Sequence, residues 1–217
     1  CFSGIVGFLI GVLAGIYKGS LFDKFIKIFC LAWQSAPTFW IGLLILSLFS
    51  EYLGWFPIGF AVPRGKLSLE ITIWDRIYHL ILPALTLSIL GISRVTLFTR
   101  QKLIEILNSD FILFAKARGE NTRQLVIRHG LRNIALPAIT EQFASFSELF
   151  GGIALAETVF SYPGLGTATT AAGLNGDVPL LLGIAIFSAI FVFVGNFIAN
   201  ILYGVLDPRL KEGKCNG

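Results

Sequence analysis

An all-α polytopic membrane protein is the fold class this sequence predicts, on three observations. Hydrophobic residues make up 55% of the 217 and charged residues only 14%, whereas an average soluble domain is about a quarter charged. Mean hydropathy is +0.77. The apolar residues gather into uncharged runs of spanning length, against a need for roughly 20 residues per helix.

The uncharged runs cover residues 1–17, 28–50, 77–93 and 178–206. A fifth, 136–160, is interrupted by Glu141, Glu148 and Glu157 and is read as a span as well, which gives about five. The chain starts at Cys1, contains no Met and has no basic flank before the first run. Residues 1–217 are therefore expected to be one transmembrane domain that is incomplete at its N-terminus, with at least one further span upstream. Neither the charged start nor the cleavage site of a signal peptide is visible. Cys1, Cys30 and Cys215 lie far apart, which argues for neither a disulfide framework nor a metal site.

Orientation follows from the lysines and arginines, which accumulate in cytoplasmic loops. With sides assigned alternately, Arg64, Lys66 and Arg76 fall on one side and the other fourteen of the seventeen on the opposite side. The segment 94–135 and the C-terminus are thus expected to be cytoplasmic. The formal charge of +4 is a product of topology, and nucleic-acid binding is a poor reading of it.

Each run then carries its own signal. In the first, Gly7, Gly11 and Gly15 recur every four residues, a small-residue face that admits another helix closely. Residues 18–27 make a short turn. The second run contains Gln34, Ser35 and Pro37; a proline there removes a backbone hydrogen bond and predicts a kink, which either lines a cavity or fits a neighbour. Residues 51–76 form an outer segment, with Trp55, Trp74 and Tyr78 at the level where aromatic rings favour the interface. Arg94 closes the third run, near enough to the inner surface to reach water.

Residues 100–135 are too polar to span and too regular for a slack linker. Asn108, Ser109 and Asp110 supply helix-start chemistry; Phe111, Phe114 and Ala115 recur at helical spacing; Gly119 is placed to end the helix. Asn121 then opens a second helix with Gln124 as its capping-box partner. Such a pair with an apolar stripe either enters a protein groove or lies on the inner leaflet with its cations on anionic lipid. Spacing alone does not choose between them.

The residues themselves do. DFILFAKARG at 110–119, followed by RHGLRNIALP at 128–137, resembles the EAA loop by which permeases of ABC importers dock onto their ATPase subunits. The eighteen-residue step from Gly119 to Pro137 is similar to the dipeptide, oligopeptide and nickel branch. ETVFSYPGLG at 157–166, SAPTFWIG at 35–42, LGWFP at 53–57 and the stretch from Asn196 through Tyr203 to DPR at 207–209 resemble that branch too, so the likeness runs in order along nearly the whole chain. The literal Glu-Ala-Ala is absent, with Leu113, Phe114 and Ala115 in its place. Family members have about six spans where this chain supplies five.

The resemblance implies the type I ABC importer permease fold and a subunit without catalytic residues. Phe111, Phe114, Ala115, Ala117, Gly119, Arg128 and Pro137 are its expected ATPase-coupling residues. It further implies a second, different permease, two cytoplasmic ATPase subunits that use ATP-Mg, an extracytoplasmic substrate-binding protein, and a multi-pass place in a bacterial inner membrane. Peptides or nickel and metal chelates are the cargo. No GxxxxGK[ST] loop occurs in the sequence, so nucleotide is expected on another polypeptide and no cofactor on this one.

Ionisable groups at membrane depth usually face a partner or a wet cavity. Glu148, with Gln34 and Pro37, is the candidate for the translocation path; Glu141 and Glu148, seven apart, lie near one helix face. The plainer reading puts Glu141 near the inner surface and pairs Glu148 with a neighbouring subunit. Glu157 is expected to be a structural hydrogen-bond acceptor. His79 and His129 are the only histidines, one at an outer helix end and one in the coupling segment, so no metal site is expected. An intramembrane hydrolase would need a nucleophile with a base or a paired-histidine metal motif, and neither is present. An ATP-independent channel or structural membrane protein is the alternative; it would have no use for a docking hairpin.

Overall fold

The computed structural model describes residues 2–63, 65, 70–144 and 146–206, with side chains throughout except at 132, 144, 146–151 and 202–206. Its helices are α1 (Phe2–Ile16), α2 (Leu21–Ser35), α3 (Thr38–Leu46), α4 (Ile73–Leu107), α5 (Asp110–Ala117), α6 (Thr122–Leu125), α7 (Leu131–Ala144), α8 (Phe146–Val159), α9 (Leu165–Asn175) and α10 (Val178–Leu206). π-helical turns extend α3 over Ser47–Tyr52 and join α6 to α7 over Val126–Gly130.

These helices cover all five apolar runs, but not one helix to a run. Among the described residues, α4 and Val178–Ile201 of α10 are each long and apolar enough to cross a membrane, while α2 and α3 qualify only as a broken pair. The kink expected at Pro37 is a full interruption. α2 stops at Ser35, and Pro37 stands in an extended conformation, φ −61° and ψ 140°, as the residue before α3. Proline offers no N–H and pushes its predecessor out of the helical region, which ends one helix and starts the next. α7 and α8 share the fifth run, and Ser145 between them lies outside the described residues. α4, by contrast, runs on past Arg94 to Leu107. Its 35 residues measure about 52 Å at 1.5 Å per residue, well beyond a hydrocarbon core of about 30 Å.

The chain divides into two compact units, one of Cys1–Gln34, Gly91–Ser145 and Phe193–Gly217, the other of Ser35–Leu90 and Phe146–Val192. In the first, α1 lies against the second half of α4 through the expected glycine face. A Cβ on Gly7 would sit 2.8 Å from the Ile92 carbonyl oxygen, on Gly11 2.6 Å from that of Thr96, and on Gly15 2.9 Å from Leu103 Cδ2. Only hydrogen fits there. The approach brings the Thr96 hydroxyl within 3.2 Å of the Gly7 carbonyl, to which it donates. Val12, Leu103, Val126 and Ile134 form the buried core of this unit, with Phe8, Ile16 and Leu131 against it.

In the second unit, Glu157 is the structural acceptor it was expected to be. Its carboxylate takes the Thr167 N–H at 2.7 Å, which satisfies one of the free N–H groups in the first turn of α9. The turn between α8 and α9 is closed further by Phe60, whose N–H donates to the Phe160 carbonyl at 2.8 Å, and the Phe160 ring is buried. α9 folds back onto α8 so tightly that a Cβ on Gly166 would stand 2.5 Å from Ala154 Cα. Backbone cannot move aside as a rotamer can, so Gly166→Val will separate α8 from α9 at a cost of about 1–3 kcal/mol or more. Protease nicking of detergent-purified protein near 161–165 checks this, with Gly173→Ala, where a Cβ meets nothing within 4 Å, as the silent control.

Candidate functional site: a helical hairpin seated on the end of α4

The polar segment after the third apolar run folds as the two helices its sequence predicts. Ser109, extended at φ −77° and ψ 155°, precedes α5. α5 ends in a Schellman motif: the Gly119 N–H donates to Lys116 O at 3.0 Å and the Glu120 N–H to Ala115 O at 3.3 Å. Gly119 itself has φ +90°, the left-handed region where a side chain costs about 1–2 kcal/mol. The capping box is present in both directions. Asn121 N–H donates to Gln124 Oε1 at 3.0 Å and Gln124 N–H to Asn121 Oδ1 at 2.9 Å.

One face of the hairpin is packed and the other is not. Ile112, Ala115 and Leu125 are buried together, with Ile106 and Leu107 of α4 beneath them. Ala115, expected among the docking residues, is thus 1% exposed and holds α5 to α6 rather than presenting surface; at i+3 from Ile112 it shares the inward stripe. The outward face carries apolar side chains without internal cover: Phe111 is 48% exposed, Leu113 57%, Phe114 73% and Ile127 54%. Ala117, Gly119 and Arg128 are exposed too, and Pro137 is half-buried within α7. Leu113 and Ile127 were not anticipated. Helical spacing from Phe114 marks one face only, and the part of the hairpin that Ile127 joins is set by the π-helical turn, which periodicity does not reveal.

The two arms are tied across the glycine turn. His129 Nε2 lies 3.2 Å from Glu120 Oε2, and the His129 ring meets the edge of Phe111 at a centroid distance of 6.4 Å. The Asn133 amide donates to the His129 carbonyl at 2.7 Å, where the π-helical turn opens the backbone ladder.

A second polar contact lies beside it, and the sequence reading passed it over. Arg100 on α4 makes a two-pronged ion pair with Asp23 of α2, through Nε to Oδ1 and through Nη2 to Oδ2 at 2.8 Å. Asp23 also accepts the Gly19 N–H at 2.9 Å, and its own N–H donates to the Ser20 hydroxyl at 3.2 Å. It is 3% exposed and lies in the first turn of α2, where the sequence predicts a non-helical turn over 18–27, and outside the apolar run that starts at Ile28. The Arg100 guanidinium holds its carboxyl down to about 2, below the usual value of about 4. A depressed carboxylate contributes its stability above the unfolded value and loses it as pH falls from about 4 through 2, so the pair is fully charged at any cellular pH. The spacing of Ser20 and Asp23 is the one local signal that pointed there.

The expected path residues do not gather into a described site. Gln34 and Pro37 are exposed, and the Glu148 side chain lies outside the described residues. Glu141 is half-buried in α7. Among the described residues no three His, Cys, Asp or Glu side chains form a metal-sized cluster.

Comparison with known proteins agrees with this architecture. Residues 7–212 match the family model described as the binding-protein-dependent transport system inner membrane component. The chain is 37% identical over 93% of its length to the oligopeptide transport system permease protein AppB of Bacillus subtilis. It is 35% identical over 97% to the di/tripeptide transport system permease protein DppB of Pseudomonas aeruginosa, and 31% over 98% to the dipeptide permease DppB of Escherichia coli. It spans 63%, 67% and 68% of these relatives' own lengths. A chain of the inward-facing MetNI methionine ABC transporter superposes with a TM-score of 0.64 at 16% identity, covering 95% of this chain and 90% of that one, which establishes an ABC importer permease fold. The chain therefore belongs to the family of inner membrane components of binding-protein-dependent transport systems.

Proposed function

We propose that this chain is the permease subunit of an ATP-driven importer and that the α5–α6 hairpin is the handle by which a separate ATPase moves it. One observation carries the reading: Phe111, Leu113, Phe114 and Ile127 are exposed on a hairpin whose opposite face is already packed. Exposed apolar groups of this kind, rimmed by Lys116, Arg118, Arg123 and Arg128, mark protein interaction sites. Gly119 and the Schellman bonds fix the angle at which the face is offered, and Pro137 lies in the helix that leaves the hairpin. Arg128 supplies charge at the rim.

Peptides are the cargo that the names of the relatives support, ahead of nickel. The complete transporter in this reading pairs the chain with a second, different permease, two cytoplasmic ATPases that consume ATP-Mg, and an external binding protein that selects the cargo. The hairpin and the C-terminus face the cytoplasm, as the fourteen-to-three distribution of Lys and Arg favours. Gln34, Pro37 and Glu148 line the path between the two permeases.

The Gly119 turn gives a direct test. A Cβ there meets nothing within 4 Å, so Gly119→Val inserts and folds, yet the φ of +90° forces the turn to rearrange at about 1–2 kcal/mol. Substrate-stimulated ATP hydrolysis by the reconstituted complex is expected to fall about tenfold. Stimulation equal to wild type would reject the handle.

A further inference from the structure

Among the 15 residues of α2, only Asp23 and Cys30 are buried. Phe22, Phe25, Ile28, Phe29 and Leu31 are all exposed, so packing does little to hold this helix to its own unit. Besides Cys30, which is buried against Ser93 and Thr96 of α4, its grip on the unit is an ionic one. Asp23 is bonded to the α1–α2 turn through Gly19 and Ser20, and to α4 through both prongs of Arg100.

Arg100 stands at a particular place on α4. Leu103 and Leu107 follow it at i+3 and i+7, on the same face of the helix. Leu103 is fully buried in the core of the unit, and Leu107 packs beneath Ile112, Ala115 and Leu125 of the hairpin. One stretch of two helical turns therefore carries the seat of the hairpin at one end and the grip on α2 at the other. A charge-assisted fork is short, directional and twice as strong as a neutral hydrogen bond, so it resists sliding where a few apolar contacts would not.

We infer that the Asp23–Arg100 pair is a clasp that makes α2 follow the hairpin, so that displacement of the handle is delivered to the helix ending at Ser35 as well as to α7. This rests on the importer reading above. Asp23 and Arg100 are positioning residues in it: neither contacts cargo or nucleotide, and their effect is on the yield of transport from each ATP. Set against apolar residues of similar volume, a buried pair of this kind is ordinarily no gain in stability; what it adds is a directional grip.

The experiment uses the whole transporter, with both permeases, the ATPases and the binding protein, reconstituted in liposomes with a labelled dipeptide. Asp23→Asn keeps an acceptor for the Gly19 N–H but removes the charge; Arg100→Lys keeps the charge but removes the fork. Both variants are expected to assemble, Asp23→Asn at reduced yield because Arg100 loses its countercharge, and per assembled complex to hydrolyse ATP within about twofold of wild type, while dipeptide uptake per ATP falls about tenfold, the middle of the range for residues that tune coupling without touching either site. Unchanged uptake per ATP in both would overturn the clasp. The doubly neutral Asp23→Asn, Arg100→Gln protein guards against misfolding: its assembly with the same loss of uptake per ATP supports the proposal, and its failure to assemble makes the pair a folding element and overturns it. A fault in the importer reading is visible separately, because wild-type vesicles would then take up dipeptide equally well without ATP, or not at all.

Discussion

Gly11→Leu is expected to leave almost no folded protein in the membrane. The new Cβ would fall 2.6 Å from the Thr96 carbonyl oxygen and 2.8 Å from Thr99 Cβ, and the backbone carbonyl has no rotamer into which it can withdraw. α1 must then move off α4 along its whole length. That movement uncovers Val12 and Leu103 in the core, and it parts the Thr96 hydroxyl from the Gly7 carbonyl. Small residues are what permit helices to associate in lipid, where no hydrophobic force between them compensates for lost contact. Steady-state level in membranes and thermal aggregation of the solubilised protein measure the effect. Gly183→Leu, in a helix where an added Cβ meets nothing within 4 Å, should accumulate normally.

On the function proposed above, Phe114→Asp should produce the opposite phenotype, an abundant and folded protein that no longer engages the ATPase. The ring is 73% exposed, so its removal leaves the packed face of Ile112, Ala115 and Leu125 undisturbed. A carboxylate set into an apolar groove costs desolvation with no partner to offset it. Interface anchors of this size contribute about 2–4 kcal/mol, so association with the ATPase should weaken about 30-fold or more. Co-purification from membranes and ATP-dependent uptake both report it. Co-purification at wild-type level would mean that the hairpin's apolar face serves some other surface, the inner leaflet among them.

Much of this was legible because it is written locally. The glycine face of α1 is a spacing, and spacing survives into three dimensions. The capping box at Asn121 and Gln124, the stop at Gly119 and the acceptor role of Glu157 each depend on neighbours within about ten residues, so composition at those positions is enough. Ala115 shows where locality fails. Its place in the motif marked it as part of the docking set, but whether a helical residue faces inward depends on what the helix lies upon, here Leu125 and the end of α4. Pro37 was read as a kink, whereas the residues flanking it complete an interruption between two helices. The partnership of Asp23 with Arg100 spans 77 residues of sequence, and nothing at either end names the other. A lone aspartate among Lys18, Lys24 and Lys27 looks like charge balance until α4 is seen beside it.

The π-helical turn over Val126–Gly130 has a consequence for how many neighbours one helical stretch can serve. A wide turn holds an extra residue, and each residue rotates the facing direction by about 100°. Leu125 answers to α5, while Val126, the next residue, and Ile134, eight further on, both answer to Val12 and Leu103. Eight residues of regular helix would leave Val126 and Ile134 about 80° apart; the extra residue taken up by the wide turn brings them back toward one stripe. With Leu125 on the hairpin, a short stretch of backbone honours both obligations, like a hinge pin machined with two flats.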